Sequence, residues 1–191
     1  MSIILASSSP RRRELMERMG LDIVIRTAPT DETMRPDGDP YDEVADVSRR
    51  KALAARPLCS DDDIIVAADT IVVCDGLVMG KPRDVEDAVR MLRLLSGREH
   101  QVMTGVTVRC GDRAETKTVV TGVRFRPLSD REIRAYVATG EPMDKAGAYA
   151  AQGLAALFIE GLDGDFYNVM GLPVCTLAVM LRGYGVQLLG C

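Results

Sequence analysis

The chain has 191 residues, 47% hydrophobic and 27% charged, with a net charge of −4. That is an ordinary globular composition, with room for one sizeable core or for two lobes sharing one sheet. The negative balance argues against a general nucleic-acid-binding surface, and no apolar run approaches the roughly 20 residues of a membrane span or forms a signal-like segment. Cys59, Cys74, Cys110, Cys175 and Cys191 are widely spaced and odd in number, without a CxxC pair. They are expected to be reduced thiols in a cytoplasmic protein. His100 is the only histidine, which excludes a His-based zinc site. Any metal must sit on carboxylates, and that points to Mg²⁺ or Mn²⁺.

In chain order, Ile3 to Ala6 read as the end of a short buried strand. Ser9 suits the N-cap of a helix and Pro10 its first position, while Leu15, Met16 and Met19 share a face and Gly20 closes it. Arg12 stands where a capping box would place Glu or Gln. With Arg11 and Arg13 it crowds the first turn, where each cation opposes the helix dipole by roughly 0.3–1 kcal/mol. An anion is expected to offset them. Arg13, one step further round, is expected to face solvent.

Residues 21–28 alternate like a strand, 29–40 form a polar loop, and 41–56 form a helix with Val44, Val47 and Ala55 near one face. Residues 61–73 are the most strand-like, and Asp75-Gly76 offers a hairpin turn into 77–80. An amphipathic helix over 83–97 carries Val85, Ala88, Val89, Leu92 and Leu95 at helical spacing, closed by Gly97. Strands over 100–110 and 116–128 flank a turn at Gly111-Asp112. Ser129 caps a short helix with Glu132 at the capping-box position. Residues 156–162 read as a further strand, and a last helix begins just before Pro173. The alternation predicts an α/β fold, and the hairpins make its sheet mixed.

Asp69, inside "IIVAADTIVV", is poorly suited to a strand. Two readings stand side by side. Either it is buried and therefore paired, metal-bound or protonated, or a turn after Ala68 leaves it on the surface. Lys81 in "GKPRD" can return to the end of the same strand, and Glu32 in the polar loop is a third candidate for the same place. Lys51 is either a solvated helix lysine or part of that group. "DKAGAYAAQG" (144–153) is a loop, or a place where small residues let a ligand approach and Gln152 reads a base edge. "GDFYNVMGLP" (164–173) reads as a turn and a helix start. Neither a GxGxxG nor a GxxxxGK[ST] motif occurs, which argues against a Rossmann dehydrogenase or a P-loop kinase.

The blocks "LASSSPRR", "AADT", "GKPRD", "HQVMTGV", "DKAGAYAAQG" and "VMGLP", in that order, resemble the Maf family of septum-formation-inhibitor-like nucleoside triphosphate pyrophosphatases. The resemblance runs nearly end to end. It implies a single Maf-like domain over 1–191, with a mixed twisted sheet flanked by helices and two lobes around a substrate cleft, as in ITPase-like folds. It also implies a homodimer, and hydrolysis of a nucleoside triphosphate to monophosphate and pyrophosphate with a divalent metal. Carried over by motif, Ser7, Arg11 and Arg12 belong to the phosphate-binding loop. Glu32, Lys51, Asp69 and Lys81 belong to the reaction centre, with Asp69 as proton acceptor and Glu32 and Asp69 as metal ligands. Arg12, Thr70 and Gln152 are similar to those of members that prefer dTTP and UTP. The implied partner is a nucleotide, with no nucleic-acid polymer and no membrane, and the implied role is house-cleaning of the nucleotide pool with a link to cell-division arrest. Two other accounts compete: a nucleotide-binding division regulator without turnover, and a pyrophosphatase for a methylated or modified purine.

Overall fold

The computed structural model describes residues 1–189, so Cys191 lies outside the described residues. The elements in chain order are β1 (Ile3–Leu5), α1 (Pro10–Arg18), β2 (Ile23–Ile25), α2 (Pro40–Ala55), β3 (Ile64–Cys74), β4 (Leu77–Met79), α3 (Val85–Leu95), β5 (Glu99–Cys110) and β6 (Arg113–Phe125). There follow α4 (Asp130–Val137), β7 (Ile159–Asp163), α5 (Phe166–Val169) and α6 (Val174–Arg182). The seven strands form one mixed sheet in the order β2-β1-β3-β5-β6-β7, with β4 paired to β3. β1 is parallel to β2 and β3, whereas β3/β4 and β6/β7 are antiparallel. The α/β expectation holds. Two compact units divide the chain: Met1–Asp69, Thr104–Val119 and Gly171 onward make the first, and Thr70–Met103 with Val120–Met170 the second.

In the first unit, Ile4, Ala6, Ile65 and Ala67 pack with Ala52 and Ala55 of α2. α2 lies so close to β5 that a Cβ at Gly105 would overlap the Val44 carbonyl. Glycine is required there by close approach. A buried hydroxyl chain sets the helix register: Ser48 Oγ lies 2.7 Å from Thr107 Oγ1, which lies 2.9 Å from Thr116 Oγ1.

The second unit builds its core from aromatic edges. Phe125 meets His100, Tyr149 and Phe158 edge-on, with ring centroids 4.9–6.0 Å apart. Such contacts add to the area buried. His100 is 2% exposed, its Nε2 2.9 Å from Tyr149 Oη, and its Nδ1 has no hydrogen-bond partner among the described residues.

Several boundaries differ from the sequence reading. The strand expected over 21–28 is only β2, and Val24 and Ile25 are exposed. Val85 faces solvent in the first turn of α3, while Ala88, Val89, Leu92 and Leu95 are buried. The first part of 156–162 belongs to a 3₁₀ turn, Leu154–Phe158, and only then does β7 begin. The last helix starts after Pro173, which has no N–H to offer and serves as its N-cap position. Ser9 and the Ser129–Glu132 capping box are as read. Cys59, Cys74, Cys110 and Cys175 are free thiols.

Burial holds the His100 pKa down at about 4, against an ordinary 6.5. The unfolded chain therefore takes up this proton before the folded one does. The stabilisation is complete above pH 6.5 and is lost as pH falls from there toward about 4. Asp87 and Glu132, held down to about 2 chiefly by hydrogen bonds from Arg90 and Arg126, lose theirs only at lower pH. Between those limits His100 removes up to about 1.4 kcal/mol per pH unit. Thermal melts from pH 7 to pH 4.5 should therefore show a falling Tm whose slope is flatter in His100→Phe. Equal slopes in the two proteins would refute this account.

Candidate active site

The β1-to-α1 junction holds the serine-arginine motif. Ser9 Oγ accepts from Arg12 N at 3.5 Å, and Ser7 Oγ accepts from Ser9 N at 3.2 Å. Arg13 pairs with Glu17 at 2.7 Å on an exposed face, as expected. Arg12 departs from the expectation. Its Nε donates to the Gly171 carbonyl at 2.8 Å, and its Nη1 to the Ala68 carbonyl at 2.7 Å and to Ser7 Oγ at 3.3 Å. Burial lowers its pKa most, opposed by the charge of Asp69, then lowered further by Arg11 and raised by Glu32. The sequence reading looked for a ligand anion alone to offset this cation. Backbone carbonyls already do so in part, and one belongs to the residue before Asp69.

Asp69 stays within β3, and its side chain is only 13% exposed. Lys51 Nζ donates to its Oδ1 at 2.7 Å and lies 3.0 Å from Glu32 Oε1. The buried-and-paired reading is the one realised, and Lys51 is no solvated surface lysine. β3 places Asp69, α2 places Lys51, and the 29–39 loop brings Glu32. Three residues widely separated in sequence thus meet at one ammonium group within the first unit.

Thr70 follows Asp69 in the chain, and Lys81 and Gln152 lie further into the second unit, both exposed. The segment bearing Gln152 is pinned from several sides. Gly147 N donates to the Gly80 carbonyl at 3.0 Å, and Tyr136 Oη accepts from Ala150 N at 3.1 Å while donating to Glu141 Oε1 at 2.8 Å. The other carboxylate oxygen, Glu141 Oε2, accepts from Leu154 N at 3.2 Å. Gly147 has φ +66°, and Val72 fills the space a Cβ would need. Sequence reasoning missed Tyr136, Glu141 and Arg50 as supports. None stands in a motif, and the backbone groups they hold lie 13 to 19 residues away in the chain.

No group of three or more His, Cys, Asp or Glu side chains suited to a metal occurs among the described residues. Glu32 Oε1 and Asp69 Oδ1 converge on Lys51 Nζ, so a hard cation would be met by the second oxygens of the two carboxylates and would take its remaining ligands from water and phosphate oxygens, the usual habit of Mg²⁺. No described helix is long and apolar enough to cross a membrane.

The sequence that builds this fold and this group of side chains matches a family model described as Maf-like protein. The chain belongs to the Maf-like protein family, whose model covers residues 2–184. It is 50% identical to a dTTP/UTP pyrophosphatase of Pelotomaculum thermopropionicum, with 98% of each chain covered. It is 46% identical to the dTTP/UTP pyrophosphatase of Chromobacterium violaceum, with 97% of this chain and 96% of that one covered. Among solved structures, the Ham1 protein of Staphylococcus aureus shares the fold with a TM-score of 0.53 at 15% identity, covering 96% of this chain and 99% of its own.

Arg12→Gln removes donors from two carbonyls and should destabilise the protein by about 1–3 kcal/mol. Arg13→Gln removes an exposed i,i+4 pair and should change stability by less than about 0.5 kcal/mol. Paired thermal melts test this. A neutral Arg12→Gln would mean that its carbonyl contacts contribute nothing.

Proposed function

We propose that this protein hydrolyses dTTP and UTP to the monophosphate and pyrophosphate, as an acid-anhydride hydrolase of the nucleotide pool. The observation that carries the reading is the meeting of Asp69 and Glu32 at Lys51 Nζ, in a chain whose relatives at 46–50% identity are named dTTP/UTP pyrophosphatases. A pure nucleotide-binding regulator would gain nothing from two carboxylates placed where a polyanion must bind. A cytoplasmic setting and a homodimer belong to the same proposal, on the family resemblance.

Ser7, Arg11 and Arg12 lie at the N-terminal end of α1, where the helix dipole and guanidinium forks favour phosphate oxygens. Lys51 and Lys81 neutralise further charge along the triphosphate. Asp69 orients the attacking water and accepts its proton. Because Oδ1 is held by Lys51, Oδ2 is the oxygen assigned to that transfer. The water oxygen bonds to the α-phosphorus while the bond from that phosphorus to the α,β-bridging oxygen breaks. Pyrophosphate leaves with the bonding pair. Glu32 and Asp69 would hold a divalent cation such as Mg²⁺ or Mn²⁺, which when bound offsets negative charge on the phosphates. Thr70 and Gln152 are assigned to the pyrimidine edge, with Gln152 offering paired donor and acceptor groups.

Asp69→Asn keeps the shape and removes the base, so turnover should fall by about 10²-fold or more. A panel of canonical and modified triphosphates with pyrophosphate detection measures this, and EDTA should abolish the wild-type signal. Near-normal turnover in Asp69→Asn would move the base elsewhere. Gln152→Ala should lower dTTP and UTP turnover more than turnover of other triphosphates, by a contact of roughly 1–3 kcal/mol. A uniform loss would confine Gln152 to shaping its loop.

A further inference from the structure

Glu32 lies on a loop without strand or helix over 29–39, and its side chain is 62% exposed. Such a segment should wander, yet its backbone is gripped on both sides of Glu32 by one residue. Arg50 Nη1 donates to the Asp31 carbonyl, and Nη2 donates to the Thr33 carbonyl at 2.9 Å. Nε donates to Asp46 Oδ2 at 3.0 Å, one turn back on α2, which fixes the plane of the guanidinium. We propose that Arg50 is a positioning residue for Glu32, acting through the carbonyls of Asp31 and Thr33. This inference rests on the role given to Glu32 in the proposed function.

Three observations carry the assignment. An arginine that only served an i,i+4 pair would need Asp46 alone, a contact of small weight. Arg50 instead uses both ends of its fork on carbonyls 19 and 17 residues away, with its side chain 28% exposed. The two acceptors bracket a single residue, and that residue's carboxylate lies 3.0 Å from Lys51, the next residue of the same helix. α2 therefore holds the peptide of Glu32 with one side chain and its carboxylate with the adjacent one. A second anchor closes the far end of the loop. Buried Glu43 accepts from Arg35 N at 2.9 Å and from Arg35 Nε at 2.5 Å, and a Cβ at Gly38 would overlap its carboxylate. Between these anchors the loop has little freedom, and Arg50 is the one nearer to Glu32. The guanidinium meets the two carbonyls and Asp46 at once in a fixed fork geometry, which the compact ammonium of lysine does not reproduce.

The test uses the full chain, with hydrogen exchange on the protein alone and steady-state kinetics with dTTP and UTP. Within 31–34 the Thr33 amide donates to Asp31 Oδ1 at 2.9 Å, and in Arg50→Gln its exchange should rise about tenfold or more while α2 and β3 keep their protection. kcat should fall about tenfold or more, with KM changing less than about threefold, because misplacement of a reacting group costs rate more than binding. Arg50→Lys should recover neither property. In a Glu32→Gln background, Arg50→Gln should cost almost no further activity, since residues acting through one another are not additive. Unchanged exchange at 31–34 overturns the proposal, as do fully additive losses or rescue by lysine. If the wild-type protein hydrolyses neither nucleotide, the functional reading fails by itself, and the exchange experiment still decides whether Arg50 holds the loop.

Discussion

The Lys51 ammonium group, placed between Asp69 and Glu32, is the interaction on which the site depends. A carboxylate set into an apolar strand is costly unless a cation answers it, and removing one partner of such a pair costs more than the pair itself contributes. Lys51 reaches Asp69 only because α2 docks tightly on β5 at Gly105, with the Ser48–Thr107–Thr116 hydroxyls holding its register. The Lys51 contacts are thus tied to a glycine, a serine and two threonines elsewhere in the first unit. A larger residue at 105 would act on the site through the helix, by displacing Lys51 from both carboxylates at once.

Arg12 extends the same logic to the phosphate side. Its guanidinium holds the carbonyls of Ala68 and Gly171, so the start of α1 is fastened to the residue next to Asp69. A cation at a helix N-terminus is unfavourable in isolation. Here carbonyl dipoles and two carboxylate charges offset part of that cost, and burial leaves the arginine poorly solvated. A poorly solvated cation gains more from a phosphate than a surface one does, because less water must be displaced. Structural fastening and anion binding are therefore compatible demands on one side chain.

Helices with caps and periodic faces were legible from the sequence. Ser9-Pro10, Ser129 with Glu132, and the Ala88–Leu95 face carry local signals, and each stands where those signals put it. The strand read over 21–28 is present only as the shorter β2, and the Leu154–Phe158 turn was not legible, because apolar content without pairing information neither sets a strand's ends nor separates strand from turn. Asp69 announced itself as an anomaly with Lys51 among its candidate neighbours, but the direct contact between them depends on the docking of a helix 18 residues away and is a tertiary fact. The carbonyls that meet Arg12 could not be read for the same reason: they lie 56 and 159 positions along the chain. Charge type is local information, whereas the group that answers the charge is not.

The two units solve the same problem of rigidity by different means. The first holds its loops by charged side chains gripping backbone: Arg12 on Ala68 and Gly171, Arg50 on Asp31 and Thr33, Glu43 on Arg35. The second contains all three phenylalanines of the chain and uses aromatic edges instead, with Tyr149 packed on His100 and Phe125 and with Tyr136 hydrogen-bonded to the backbone at Ala150. Within 145–153 Tyr149 and the buried alanines pack into the core, while Tyr136 and the Glu141 carboxylate hold backbone at Ala150 and Leu154. Ordering the segment before a ligand arrives removes an entropic cost from recognition. Under the proposed function a Gln152 held in this way would discriminate between bases, because the loop could not move to accommodate a wrong one.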